Sequence, residues 1–291
     1  SDITLPSGGE IHIDYEADDY QYVQDKKAQQ MYKVVGLSET PSVSSDNRLH
    51  KGWDHDQRYL IIERPAGVNS INDLIKPLNN SSGNGGSAEY DVVYFKFLVD
   101  MLPAAFSTEQ EKEYVSGFVE PEEVGDINGN LSFIKVKFER AGLYKTNPIS
   151  RAAIAQGLAN TPWLFYPNSD LNRGFDGKSD TYLKKVASML LSAVDPVTKM
   201  LFGKYKYFIN YGYCKNADLS SCYVRLDNGF GKKIGGGHRV KKVSLTDNWH
   251  SMTNNNESNA SYNTVYSYTL DDGTSSGVAS WEPGVGGDEN P

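Results

Sequence analysis

The clearest periodicity in the chain runs from Ser179 to Leu201, where Tyr182, Val186, Met189, Leu190, Ala193, Val197, Met200 and Leu201 recur at spacings of three and four. That spacing lays one continuous apolar face along a helix. Ser179 suits an N-cap, Asp180 the first turn, and Pro196 tolerates only a first-turn position, so the stretch predicts two short helices over 180–194 and 196–202. Lys184, Lys185 and Lys199 fall off the apolar stripe, which leaves the outer face wet. The helices must then lie on sheet, because most of the remaining pattern has the two-residue period of strands.

Ile11, Ile13 and Tyr15 alternate with His12, Asp14 and Glu16 and predict a half-buried strand. Asp18 and Asp19 then open a predicted helix whose apolar face is Ala28, Met31, Tyr32 and Val35 and whose end is Gly36. Tyr59 to Glu63 reads as a strand, and Ser70 caps a short helix through Ile75. From Tyr90 to Leu102 both parities are apolar, which predicts a strand covered on both faces. Strands over 114–124 and 131–140 follow, joined through Asn128-Gly129, a hairpin signal that favours an antiparallel meander.

Asn147-Pro148 opens a helix of small residues to about Leu158. The remainder reads as strands over 204–213, 222–226, 238–246, 262–270 and 277–281, with a bulge required for Val240 and Val243 to share a face. The fold class expected is α+β, mainly antiparallel sheet with a few helices packed on one face. Residues 1–291 are expected to form one unit with a soft boundary near 141–147.

A net charge of -8 argues against nucleic acid as a partner, since phosphate backbones call for a basic footprint. There is no start methionine, signal peptide or membrane-length apolar run, and the ends at Ser1-Asp2 and Asn290-Pro291 suggest a segment of a longer protein. Cys214 and Cys222 flank a polar loop, so they are either a disulfide or a pair of ordinary thiols; the Tyr- and Asn-rich composition favours an extracellular or cell-surface setting and the disulfide.

Candidate chemistry is sparse. His50, Asp54, His55 and Asp56 have the right residue types for metal or acid–base work, but lack helical ligand spacing, and a solvated loop explains them. Asp14, Glu16, Asp18, Asp19, Glu120, Glu122 and Glu123 could supply the two carboxylates of a hydrolase, or could be solvated strand edges and caps. Asp126, Asn128 and Asn130 alternate oxygen ligands but read as a turn, whereas Asp170, Asn172 and Asp176 are the candidate for a structural Ca2+. The glycines from Gly229 to Gly237 match no phosphate loop and read as a turn or bulge. Lys232, Lys233, Arg239, Lys241 and Lys242 form a basic run suited to a solvated strand face or an acidic partner. Tyr205, Tyr207, Tyr211 and Tyr213 share one parity, as do Tyr262, Tyr266 and Tyr268; outward they would make an aromatic surface for an interface or a glycan, inward they would be core.

Gly235-Gly236-Gly237-His238-Arg239-Val240-Lys241-Lys242-Val243, Ser276-Gly277-Val278-Ala279-Ser280-Trp281-Glu282-Pro283 and Gly286-Gly287-Asp288-Glu289-Asn290-Pro291 resemble a segment of very large secreted proteins of Bacteroidota. Leu5-Pro6-Ser7-Gly8 and Ile11-His12-Ile13-Asp14-Tyr15-Glu16 are similar to the same group. Those proteins are often labelled cell-surface or RHS-like, and the resemblance implies export by the type 9 route. It brings no catalytic residues, and the YD repeats of RHS shells are absent from this chain. The expectation is therefore a non-enzymatic structural or adhesive module that acts through assembly with neighbouring domains or copies of itself. The alternatives are a glycan-binding module, an RHS-like shell segment and a carboxylate hydrolase.

Overall fold

The computed structural model describes residues 1–51, 57–78, 88–103, 111–141, 144–160, 208–209, 212–247 and 260–285. Its strands are β1 (Asp2–Thr4), β2 (Glu10–Tyr20), β3 (Tyr22–Val23), β4 (Lys26–Lys27), β5 (Gln29–Ser38), β6 (Tyr59–Glu63), β7 (Val93–Asp100), β8 (Lys112–Val119), β9 (Pro121–Asp126), β10 (Leu131–Val136), β11 (Glu139–Ala141) and β12 (Tyr144–Thr146). After helix α1 (Pro148–Asn160) come β13 (Tyr223–Asp227), β14 (Lys233–Thr246), β15 (Ser261–Val265) and β16 (Val278–Ala279). Antiparallel sheet thus dominates, and α1 is the α-helix whose bounds the described residues give in full. The helical pair expected over 180–202 lies outside the described residues.

The chain divides into two compact units: the outer, named for its place in the sequence alone, is Ser1–Gln29 with Asp227–Pro291, and the inner is Gln30–Leu226. The divisions fall at Gln29/Gln30 and Leu226/Asp227 and not near 141–147.

The inner unit carries a seven-stranded sheet in the order β8-β7-β13-β5-β6-β10-β9. Its two end strands, β8 and β9, are separated in sequence by Glu120 alone. A sheet whose ends are consecutive must be rolled, so a single bent strand closes it, pairing with β7 before the bend and with β10 after it. At the bend Lys137 N donates to Glu120 O at 2.8 Å. The antiparallel pairing expected of the three successive strands over 90–102, 114–124 and 131–140 is present, with the middle one bent at Glu120 so that β8 pairs with β7 and β9 with β10.

Inside the roll, Val34, Leu60, Ile62, Phe95, Phe97, Val99, Val115, Ile134, Val136 and Val224 form one core with Ile149, Ala153 and Ile154 of α1. Each of the Val, Leu, Ile and Phe side chains contributes about 1.5–3 kcal/mol on burial. β7 alternates, burying Val93, Phe95 and Phe97 and leaving Tyr94, Lys96 and Leu98 half-exposed, so it is not covered on both faces as expected. The outer apolar parity is instead shielded laterally: Tyr94 meets Phe118 edge-on at 5.5 Å, and the Arg225 guanidinium sits 4.8 Å from the Tyr94 ring.

Two helix starts follow the sequence. Asn147 Oδ1 accepts from Ile149 N at 2.9 Å, capping α1 with Pro148 in its first turn. Ser70 caps a 3-10 turn over Ile71–Asp73 through a reciprocal bond with Asp73. The helix expected from Asp18 to Gly36 is overturned: Asp18 and Asp19 lie within β2, and Gln29–Ser38 is β5. Tyr32, Val34 and Gly36 are buried around exposed Lys33, a two-residue period. Gly36 does not end an element but lies in the strand against Ser44, where a Cβ would come 1.8 Å from the Ser44 carbonyl oxygen. The strand expected over 204–213 is also corrected at its described residues, since Phe208 and Ile209 are helical and Gly212–Cys214 turn.

The outer unit contains a four-stranded sheet, β1-β2-β14-β15, and a small sheet in the order β16-β3-β4. The pairing of β14 with β2 shifts register between Ile234 and His238 and again between Val240 and Lys242, the second being the bulge that the apolar pattern required.

Candidate interaction surface

Residues directly opposite one another in an antiparallel pair share a face. In the outer unit this register lines up Ile3, Ile11, Leu245 and Tyr262 across all four strands. The adjacent row is Ile13, Val243 and Thr264, and beyond it Tyr15 opposes Val240, which the bulge returns to the same side. None of the side chains in these rows carries a formal charge. The other parity holds Asp2, His12 and Ser244, then Asp14 and Lys242, then Glu16 and Arg239. The sheet is amphipathic.

An amphipathic sheet ordinarily buries its apolar face. Here the face is open: Ile3 is 49%, Tyr15 49% and Tyr262 61% exposed, while Ile11, Ile13, Val240, Val243 and Leu245 are only half-buried. Ile234 and Trp281 add further exposed apolar surface to this unit.

The charged side is internally satisfied. His12 bridges Asp2 and Asp14, and the two carboxylates raise its pKa through their hydrogen bonds and charge. Arg239 reaches Glu16 and Asp19, each at 2.9 Å, and covers the Tyr268 ring at 4.2 Å. Burial pushes the Asp19 carboxyl up, but hydrogen bonds from Arg239 and Ser275 outweigh it and hold the pKa below its ordinary value. Lys232 pairs with Asp19 at 3.5 Å and Lys233 with Glu282 at 2.8 Å, so much of the basic run is absorbed within the unit.

The other singled-out residues scatter. In the inner unit Glu120 pairs with Lys137 at 2.6 Å, while Glu122 and Glu123 both pair with Lys135. Asp126 belongs to the turn: it accepts from Ser70 Oγ, Ile71 N and Ser132 Oγ and lies 3.0 Å from the buried Arg64. Asn130 donates to Glu63. His50 is fully buried and its Nε2 donates to Tyr213 O at 2.9 Å; burial lowers its pKa to about 4, so it is a neutral core histidine with Nδ1 unpartnered.

Tyr213 is core, packed edge-on to Phe208. Tyr262 and Tyr266 point outward, and Tyr268 is held to Val240 O through its hydroxyl. Cys214 and Cys222 are buried free thiols that donate to Met101 O and Asp218 O, and no disulfide joins them. Asp54, His55, Asp56, Asp170, Asn172, Asp176, Tyr205, Tyr207 and Tyr211 lie outside the described residues. Among the described residues no three His, Cys, Asp or Glu side chains converge as a metal site, and no helix is long and apolar enough to cross a membrane.

The alternation of Ile11, Ile13 and Tyr15 marks one face of one strand, and only the register sets Ile3, Val243, Leu245 and Tyr262 beside them as rows. Comparison of the chain with known protein families, characterised proteins and solved structures gives no match.

Proposed function

We propose that this chain is a non-enzymatic structural module of a secreted or surface-exposed assembly, acting through protein–protein contact made by the apolar face of β1-β2-β14-β15. The observation that carries the reading is the uncovered row Ile3, Ile11, Leu245 and Tyr262. Exposed contiguous apolar surface marks an interface. Its occupant is a second copy of the same face. A chain with net charge -8 repels its copy through most of its surface, whereas the side chains of these rows are uncharged. Two such sheets packed face to face bury both apolar sides at once. The polar, Tyr- and Asn-rich composition supports an extracellular setting, and the ion-paired carboxylates Glu16 of β2 and Glu122 and Glu123 of β9 support a scaffold over a hydrolase.

The test is sedimentation equilibrium on the chain and on Leu245→Glu. Dimerisation of the native chain, lost in Leu245→Glu with an unchanged thermal midpoint, is the expected result. A native chain that stays monomeric at ~0.1 mM, where any association stronger than about -5.5 kcal/mol would register, overturns the proposal.

A further inference from the structure

The sheet that carries the apolar face also ends in an open strand. Tyr266 N donates to Lys241 O at 3.0 Å and Asp247 N to Ala260 O at 3.1 Å, which fixes the alternation along β15. Tyr262 and Thr264 turn their backbone groups to β14, whereas Ser261, Asn263 and Val265 turn theirs to the far side. β15 is the last strand of its sheet, and every residue from Ser261 to Ser267 is exposed.

An open edge is a template for a further strand, and proteins blunt such edges with charge, proline or brevity. Among the described residues the other edges are short or closed. β1, β11 and β12 have three residues each, β4 and β16 have two, and the seven-stranded sheet closes through β8 and β9. β15 has no such protection. Ser261-Tyr262-Asn263-Thr264-Val265-Tyr266-Ser267 contains no charge, proline or glycine, and its Tyr, Thr and Val are strand formers.

We infer that β15 pairs with β15 of a second copy, antiparallel about a two-fold axis at Asn263, and thereby joins two face-to-face dimers into a tetramer. This rests on the self-association of the apolar face. In that register Asn263 meets its own counterpart and Ser261 meets Val265, so each outward residue exchanges both N–H···O bonds with its partner. Tyr262 falls opposite Thr264, and the row Ile3, Ile11, Leu245, Tyr262 runs on through Thr264, Val243 and Ile13 of the second copy. Four strands and four strands make one sheet of eight with a continuous apolar side. No charged side chain of β15 stands at the seam, where two chains of net charge -8 come together. One strand pair of this length is too weak to hold two monomers. Two face-to-face dimers can engage both edges at once, with the edge axis normal to the sheets and the face axis between them, and the symmetry then closes. The second pairing is intramolecular and adds avidity.

Sedimentation equilibrium of the full chain over ~0.01–1 mM tests the inference. The native chain should pass from dimer to tetramer. Asn263→Pro, which removes an N–H facing the open edge, should stop at the dimer with its thermal midpoint unchanged, its tetramer weakened about tenfold or more. Asn263→Cys supplies a second readout under mild oxidation: at the two-fold its Cα lies about 5.5 Å from its counterpart, within disulfide reach, whereas Val265→Cys is about 14 Å from its own. Covalent pairs in Asn263→Cys and not in Val265→Cys are expected, and decide the matter if Asn263→Pro fails to fold. A native chain that stops at the dimer overturns this inference alone and leaves the edge to a strand of another protein. A native chain that stays monomeric overturns the face-to-face reading and this one with it. A tetramer undiminished in folded Asn263→Pro, or equal linkage in the two cysteine variants, also overturns the edge pairing.

Discussion

The Asp18 carboxylate accepts a hydrogen bond from the Gly237 amide at 2.9 Å, and a Cβ built on Gly235 would lie 2.5 Å from that same carboxylate. The glycine run at the first register shift of β14 is therefore room for an acidic side chain from β2, not a phosphate loop. Gly235→Ala is expected to destabilise the chain by about 1–2 kcal/mol, while Gly236→Ala, which meets nothing within 4 Å, stays within about 0.5 kcal/mol. In the Asp18→Ala background the Gly235→Ala cost should largely vanish. Denaturant unfolding of the four proteins closes the cycle, and an undiminished cost in the double variant would show that backbone strain, not the carboxylate, demands the glycine.

His50 makes stability depend on pH. Its folded pKa of about 4 lies below the ordinary value of 6.5, because burial disfavours the charged ring. The unfolded chain therefore binds a proton first as pH falls. Stability is complete above about 6.5 and declines by on the order of 3 kcal/mol as pH falls to about 4. His50→Gln keeps a donor for Tyr213 O and removes the titration, so the native-minus-variant difference in unfolding free energy should shrink across that window. A flat difference would place the His50 pKa near its ordinary value.

Sequence and structure agree where the signal is local. Asn147-Pro148, Ser70, Asn128-Gly129 and the Val240 bulge each depend on a few adjacent residues with one stereochemical solution, and each was legible. β5 was not, because Ala28, Met31, Tyr32 and Val35 satisfy a helical period as well as Tyr32 and Val34 satisfy a strand period, and tertiary pairing with β6 decides. The closure through Glu120 left no trace in the sequence: it depends on which strands β8 and β9 pair with, not on their own residues.

Arg64 and Asp126 fasten the β9–β10 turn to the 3-10 turn after Ser70. Arg64, 6% exposed, donates to Gly129 O and Asn69 O and lies 3.0 Å from Asp126. Burial raises the Asp126 carboxyl, but hydrogen bonds from Ser132, Ile71 and Ser70 and the Arg64 charge more than offset it, leaving its pKa low. Asp126→Ala strands the buried guanidinium and three donors, and should cost about 2–4 kcal/mol in urea unfolding. A loss below about 1 kcal/mol would mean that water replaces the carboxylate at no penalty.

The two cysteines give a chemical readout of the inner core. Cys214 lies within it and Cys222 at the start of β13, and burial raises both thiols, Cys222 to about 12. Because the thiolate is the nucleophile, a thiol with that pKa at pH 8 should react with an aromatic disulfide reagent more than about a thousandfold slower than an ordinary cysteine. In denaturant, both should react at once and in full. Rapid labelling of the native chain would show that the core around Phe208 and Tyr213 opens readily. No labelling even in denaturant, restored by prior reduction, would instead establish a Cys214–Cys222 disulfide and with it the oxidising compartment that the composition suggests.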